Sequence, residues 1–243
     1  MDFAAKGRDK IAEVFMGLVA QRPPKKRVTV VDVTTALDID RKTFYNYFEN
    51  TEDLSHWIYR DYLRRMLEQP QFAAHDLVFP HQCLQDNYSD WPFYARIEED
   101  DHFLAQELFY KTMAYHFEGN RAYYSKAFQP DSCLDIYDYI ISLFLPAIRE
   151  DVLFMLNGRE MPEDAINFIT EYHVMGVFGR LRYHFTGTGR FIMQDDINPF
   201  WNYAHITMKE TIDRMYEEQS IGSGKLISGS SKTKYVYTAK LKR

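Results

Sequence analysis

The sequence predicts an all-α protein: an N-terminal three-helix segment with helix-turn-helix spacing, followed by a larger helical body. Three observations predict this. Apolar residues recur at helical spacing, with Ile11, Val14, Phe15, Leu18 and Val19 in one stretch and Leu54, Ile58 and Tyr62 in another. Helix breakers and caps punctuate the pattern, as in "QRPPKKR" and "DID". Two short apolar-periodic segments, joined by a three-residue turn, follow one longer helix, which is the spacing of a helix-turn-helix.

The first helix runs from Lys6 to Gln21 and stops at the paired prolines Pro23 and Pro24. The next, "TVVDVTTAL", sets Val30, Val33 and Leu37 on one side. Thr29 can cap it, and Asp32 stands three residues later, where a capping box wants an acid. After the turn, Asp40 can cap a short helix from Arg41 to Tyr47, and Asn50 or Thr51 a longer one. Periodicity loosens between Pro70 and Pro92, so a domain boundary is expected near residue 68. Beyond it the pattern predicts helices at roughly 82–89, 91–98, 101–117, 120–127, 131–157, 162–186 and 195–219, with a kink at Pro146. "FTGTGRF" reads as a turn and not a phosphate cradle, because no strand precedes it and the glycine spacing is wrong. The chain thus divides into 1–67, 68–219 and a Gly/Ser-containing basic tail, 220–243, expected to be disordered unless "KTKYVYTAKLK" pairs as a strand.

Composition narrows the function classes. Aromatics make up 16% of the 243 residues, enough for a large core or an aromatic-lined cavity. The net charge of −6 is uneven: residues 1–67 carry +2, 68–218 carry −14 and 219–243 carry +6. A mildly basic head on an acidic body can bind a polyanion at one end only. The two cysteines, Cys83 and Cys133, have no metal-type spacing and fit a reducing compartment. No apolar run is long enough to span a membrane, and "MDFAAKGRDK" has no signal core, so a cytoplasmic location is expected.

The stretch "TVVDVTTALDIDRKTFYNYFENTEDL", Thr29 to Leu54, resembles the DNA-binding segment of the TetR/AcrR family of transcriptional regulators. The resemblance is carried by Thr29, Asp32, Val33, Ala36, Ile39, Thr43, Phe44, Tyr45, Tyr47, Phe48, Glu52 and Leu54. It implies that Thr29, Tyr45 and Tyr47 face phosphates, and that Arg41, Lys42 and Thr43 approach bases or backbone. Phe44 and Phe48 resemble the core residues that lock the recognition helix in place. Both cations begin the groove helix, and Arg41 suits bidentate contact with guanine. Three departures stand out: Asp38 where the family has Gly, Thr51 where it has a phosphate-contacting Lys, and added acids at Asp38, Asp40 and Glu49. Lys25, Lys26 and Arg27 are expected to compensate.

The same resemblance implies a helical body with a small-molecule cavity, dimerising through 162–186 and 195–219. In "ITEYHVMGVFGRLRYHF", apolar residues lie on more than one side, and Gly176 and Gly179 permit close helix approach. "NRAYYSKAF" and "GVFGRLRYHFTGTG" resemble a branch that includes regulators of dihydroxyacetone kinase operons, some of which act with a protein co-activator. Candidate ligand contacts are Trp91, Phe93, Tyr94, Phe109, Met113, His116, Tyr139, His173 and Phe178, a set suited to a hydrophobic or aromatic effector. No catalytic motif, metal site or cofactor signature is found: the "YHF" repeats lack a second ligand, and the paired acids at 99–101 and 195–196 read as helix starts. The expected partners are a double-stranded DNA operator, a second copy of the chain in a homodimer, and an unidentified small-molecule effector. The expected activity is operator repression. A different reading is a helical co-regulator acting through a partner protein, with weak or no DNA binding.

Overall fold

In the computed structural model, the described residues are 3–81, 86–187 and 202–222. Ten helices and three short strands lie among them: α1 (Phe3–Gln21), α2 (Val30–Leu37), α3 (Arg41–Tyr45), α4 (Thr51–Leu67), α5 (Pro70–Ala73), β1 (Leu77–Val78), β2 (Arg96–Glu99), β3 (Phe103–Leu104), α6 (Glu107–Gly119), α7 (Arg121–Ala127), α8 (Ile136–Leu156), α9 (Glu163–Thr186) and α10 (Tyr203–Gly222). The protein is mostly helical, as the apolar periodicity predicts.

The N-terminal helices form where their caps dictate. Thr29 and Asp32 make both halves of the capping box at α2. At its other end Asp38 takes the left-handed conformation (φ 54°, ψ 45°), and Ile39 N–H donates to the Thr34 carbonyl at 3.0 Å. The turn therefore keeps its geometry with Asp where Gly is easier. Asp40 caps α3, and Asn50, not Thr51, caps α4, accepting from the N–H groups of Glu52 and Asp53 at 2.8 and 2.9 Å.

The segment between α5 and α6 departs from the sequence expectation. Residues 91–98 form no helix: Trp91 to Ala95 have no regular secondary structure and lead into β2. The reason is burial. Phe93, Tyr94 and Ala95 are three consecutive buried residues, packed against Phe144 and Phe109, where an amphipathic surface helix would expose at least one of them. The three strands form an antiparallel sheet in the order β1-β2-β3, with Leu77 opposite Ile97 and Glu98 opposite Leu104. Asp101 and His102 turn through positive φ (61° and 53°), so α6 starts at Glu107 and not at 101. The helix expected at 82–89 falls partly on residues 82–85, outside those described, and 86–90 is turn. The start of the helix expected at 195–219, most of "FTGTGRF" and the tail from 223 also lie outside the described residues.

One hydrophobic core runs from α1 through to α10, with Phe15, Phe44, Tyr59, Phe117, Phe144 and Met208 among its sealed members. α8 continues through Pro146 and lies against α9 for much of its length. α4 packs on α1, α6 and α8, and α1 packs on α7, so both helices join the N-terminal helices to the rest of the core.

Candidate functional site

The surface built by α2 and α3 starts from its caps. The Thr29 hydroxyl accepts from Asp32 N–H at 3.3 Å and donates to Asp32 Oδ2 at 2.7 Å, and the Thr29 N–H donates to the same oxygen at 2.8 Å. Arg22 reaches back from the end of α1 and grips Asp32 bidentately at 2.7 and 2.8 Å. The Arg22 guanidinium first, then the Thr29 donors, hold the Asp32 carboxyl far below the usual carboxylate range. Arg22 also donates to the Arg27 carbonyl at 3.2 Å, so one side chain fixes both the loop and the helix start.

On α3, Asp40 accepts from the Thr43 N–H at 2.6 Å and from the Thr43 hydroxyl at 2.9 Å. These two donors, the N–H first, hold the Asp40 carboxyl below its ordinary value. The Thr43 hydroxyl hydrogen is thus engaged by the cap, leaving its oxygen lone pairs for other contacts. Phe44 and Phe48 are buried, and Phe48 meets Trp57 of α4 edge-on at 5.4 Å. Arg41, Lys42 and Tyr45 point the other way and are exposed, Tyr45 to 55%. Tyr47 lies instead against the start of α1: the Arg8 guanidinium stands 5.8 Å from its ring centre. A Cβ added at Gly7 would come within 3.0 Å of the Tyr47 hydroxyl oxygen, so Gly7 leaves room for that ring.

Lys25, Lys26 and Arg27 are exposed beside this surface. Arg27 pairs with Glu52 at 2.7 Å and Lys25 with Asp131 at 3.5 Å. The loop is also tied down through its backbone, with Cys133 N–H donating to the Pro24 carbonyl at 3.2 Å. Thr51 is buried, so this position offers no side chain to the surface.

Behind the surface, α4 carries residues that sequence reasoning missed. Arg60 is fully buried. Its guanidinium donates to the Trp91 carbonyl at 2.7 Å, to the Tyr139 hydroxyl at 3.3 Å and to the Tyr88 carbonyl, and stands 5.3 Å from the Phe93 ring centre. Tyr139 donates to Asp86 at 2.5 Å, and His56 stacks on Tyr139 at 3.8 Å while pairing with Asp135 at 2.9 Å. Tyr88 donates to Asp53 at 2.6 Å. The available signal was the spacing of His56 and Arg60, four apart on α4, but only the fold supplies their partners.

The candidate ligand residues fall into three packed groups. Tyr94, Phe109 and Phe178 come together around Phe144, with ring centres 4.8 to 6.2 Å apart, and all three are buried. His173 lies beside Phe178 on the wall of a small cavity. Met113 and His116 sit under α4. The Tyr59 hydroxyl approaches the Met113 sulfur at 3.7 Å, and Tyr62 stacks on His116 at 3.7 Å. Burial pushes the His116 pKa down to about 3, and its two nitrogens lie 2.6 Å from the Tyr124 hydroxyl and 3.3 Å from Asn120 Nδ2. Trp91 and Tyr139 form the third group at Arg60, with Phe93. Among the described residues, no cluster of three or more His, Cys, Asp or Glu could hold a metal ion, and no helix is long and apolar enough to cross a membrane.

No protein-family model matches the chain, and no curated protein matches it in sequence. Among solved structures it is similar to the dihydroxyacetone kinase operon activator DhaS, with a TM-score of 0.50. The match covers 86% of this chain and 97% of that chain at 16% identity. At that identity the likeness is one of fold alone.

Proposed function

We propose that the protein is a sequence-specific, TetR-type DNA-binding transcriptional regulator, acting as a homodimeric repressor whose operator affinity a small molecule modulates. The observation that carries this reading is the two-sided segment of α3 and the turn after it: Phe44 and Phe48 are locked into the core while Arg41, Lys42 and Tyr45 stand exposed. A short helix anchored this way fits the major groove, with its first residues at base edges and α2 across the backbone. Arg41 and Lys42 supply charge; Thr29, Tyr45 and Tyr47 supply hydroxyl donors or acceptors for phosphate without adding charge. Residues 1–67 form the DNA-binding unit and 68–219 the effector and dimer unit. The fold shared with an operon activator supports a regulator and leaves the sign of regulation to this proposal.

Dimerisation is supported by α9. Phe168, Tyr172, Met175 and Tyr183 stand 47–73% exposed on it, and a Cβ built at Gly176 or Gly179 meets nothing within 4 Å. A continuous apolar stripe of this kind on a long helix suits a self-complementary interface. Two heads held one helical turn apart, about 34–36 Å, would read a two-fold operator. An effector acts only through different affinity for the DNA-ready and displaced states.

The test is fluorescence anisotropy of the full chain on DNA upstream of its own gene, over a salt series. Specific binding that weakens steeply with salt is expected, and Arg41→Ala should cost about 1–3 kcal/mol. Tyr45→Ala should weaken binding with no change in thermal midpoint. A flat response at low salt would remove the reading. It would favour a helical co-regulator working through a partner protein, for which the pairing of Lys25 and Arg27 with acids speaks.

A further inference from the structure

Of the seven arginines between residues 1 and 67, five are tied to acids: Arg22 to Asp32, Arg27 to Glu52, Arg60 to Asp86, Arg64 to Asp61 and Arg65 to Asp9. The other two, Arg41 and Arg8, have no ion pair among the described residues. Arg41 opens α3, on the surface proposed to meet DNA. Arg8 lies on α1 and is half-buried, in a chain whose net charge of −6 offers acids in excess.

The acids near Arg8 are committed elsewhere. Asp9, next in sequence, pairs with Arg65 at 2.8 Å. Asp53 accepts from the Tyr88 hydroxyl at 2.6 Å and from the Glu49 N–H at 2.9 Å, and Glu49 itself accepts from Asn87 at 3.2 Å. Burial first, and then Asp53, push the Tyr88 pKa up, and the Arg8 charge opposes them, which places Arg8 close to that pair. Arg8 Nε is sealed from solvent and has no hydrogen-bond partner among the described residues. The guanidinium carbon stands 5.8 Å from the Tyr47 ring centre. Tyr47 in turn lays its hydroxyl over Gly7, where a Cβ would stand 3.0 Å from the hydroxyl oxygen. That hydroxyl also has no hydrogen-bond partner among the described residues. A guanidinium and a phenol thus lie side by side, held by packing, with donors that nothing around them engages.

From this pair of unengaged donors we infer that Arg8 and Tyr47 clamp one DNA phosphate at the edge of the surface that α3 presents. The guanidinium fork meets the two unesterified oxygens, and the phenol donates to one of them. The inference rests on the regulator reading above and adds a residue to its site. Arg41 can reach base edges from the start of α3; Arg8 sits outside that helix, so it meets backbone and carries no sequence preference. Because the stem is already packed on Tyr47, little side-chain freedom is lost when the phosphate arrives. Gly7 belongs to the clamp, since any side chain there would push the Tyr47 ring away from Arg8.

The experiment is fluorescence anisotropy of the full chain on the upstream duplex and on a scrambled duplex of the same length, over a potassium chloride series. Arg8→Gln keeps a stem on Tyr47 but removes the charge. It should weaken binding about tenfold on both duplexes. It should also lower the salt slope by about 0.9 for each head bound, with an unchanged urea midpoint. Arg8→Lys should restore the slope but only part of the affinity, because an ammonium cannot form the fork. Tyr47→Phe should weaken binding at an unchanged slope, and its effect should shrink in the Arg8→Gln background. Parent-like affinity and slope in Arg8→Gln overturn the inference. So does a loss of affinity at the parent's slope with a lowered urea midpoint, which would make Arg8 a packing residue for Tyr47. A loss confined to the upstream duplex overturns it as well, since that would make Arg8 a base reader. If the parent binds neither duplex at low salt, the regulator reading falls and takes the clamp with it; every other failure leaves that reading in place.

Discussion

Tyr45 and Tyr47 stand two residues apart on the same short segment and have different surroundings. Tyr45 is 55% exposed, while Tyr47 is half-buried over the Gly7 and Arg8 turn of α1. The resemblance of "TFYNYF" to the family segment implied that Phe44 and Phe48 face inward, and both are buried. It did not reveal which tyrosine leans on α1, because that depends on Gly7, forty residues away in sequence. The Arg27–Glu52 pair was hidden for the same reason, its partner being 25 positions distant. Asp38 was legible as an anomaly, and the structure gives its physical form: a non-glycine residue at φ 54° closing α2. Asp tolerates that region better than most residues but still pays a steric cost that glycine avoids. Asp38→Gly should therefore raise stability by about 0.5–1 kcal/mol, read as a higher urea midpoint with an unchanged slope. An unchanged or lower midpoint would show that the side chain makes a compensating contact in the native turn.

At the scale of elements, the start of α2 is held by more than its capping box. The box itself could be read from Thr29 and Asp32 three apart; the Arg22 grip could not, because the intervening "PPKKR" hides how the loop folds back. Asp32 has its folded-state pKa depressed below the ordinary carboxylate value of about 4. Its stabilising contribution is therefore complete above that value and is lost as pH falls below it toward the depressed pKa. Asp32→Asn removes the ion pair and weakens the cap, and should cost about 1 kcal/mol near neutral pH. The variant should also lose less stability than the parent between about pH 6 and pH 3, measured as urea midpoints. Parallel pH curves for the two proteins would mean that Asp32 does not carry this titration. The strands near residue 96 were missed for a related reason. The run of buried Phe93, Tyr94 and Ala95 has neither helical nor alternating periodicity, and its packing against Phe109 of α6 and Phe144 of α8 leaves no trace in the local sequence.

For the whole molecule, α4 is one route, beside the packing of α1 on α7, by which an event in the body could reach the proposed DNA-facing surface. It carries Asp53, His56 and Arg60 on its way from α3, and each is bonded to a residue from beyond position 85: Tyr88, Asp135, and the carbonyls of Tyr88 and Trp91. The all-helical plan was legible from periodicity, yet this coupling was not, since buried polar partners leave no periodic trace. α9 keeps Phe168, Tyr172, Met175 and Tyr183 exposed in the single chain, and the proposed dimer makes a direct prediction there. Tyr172 is 66% exposed and stacks on Phe168 at 6.0 Å between ring centres. Tyr172→Glu places a charge in the middle of that stripe without opening a hole in the core. In a dimer the two carboxylates would face each other across a two-fold interface, where like charges in a desolvated setting repel strongly. Sedimentation should then show the parent as a dimer and the variant as a monomer, with helical circular dichroism retained. Operator affinity should fall about 100-fold or more, because the two half-sites would no longer be engaged by one linked pair of heads. A variant that stays dimeric would move the interface off α9. A variant that becomes monomeric yet binds the operator as tightly as the parent would show that one head suffices for recognition.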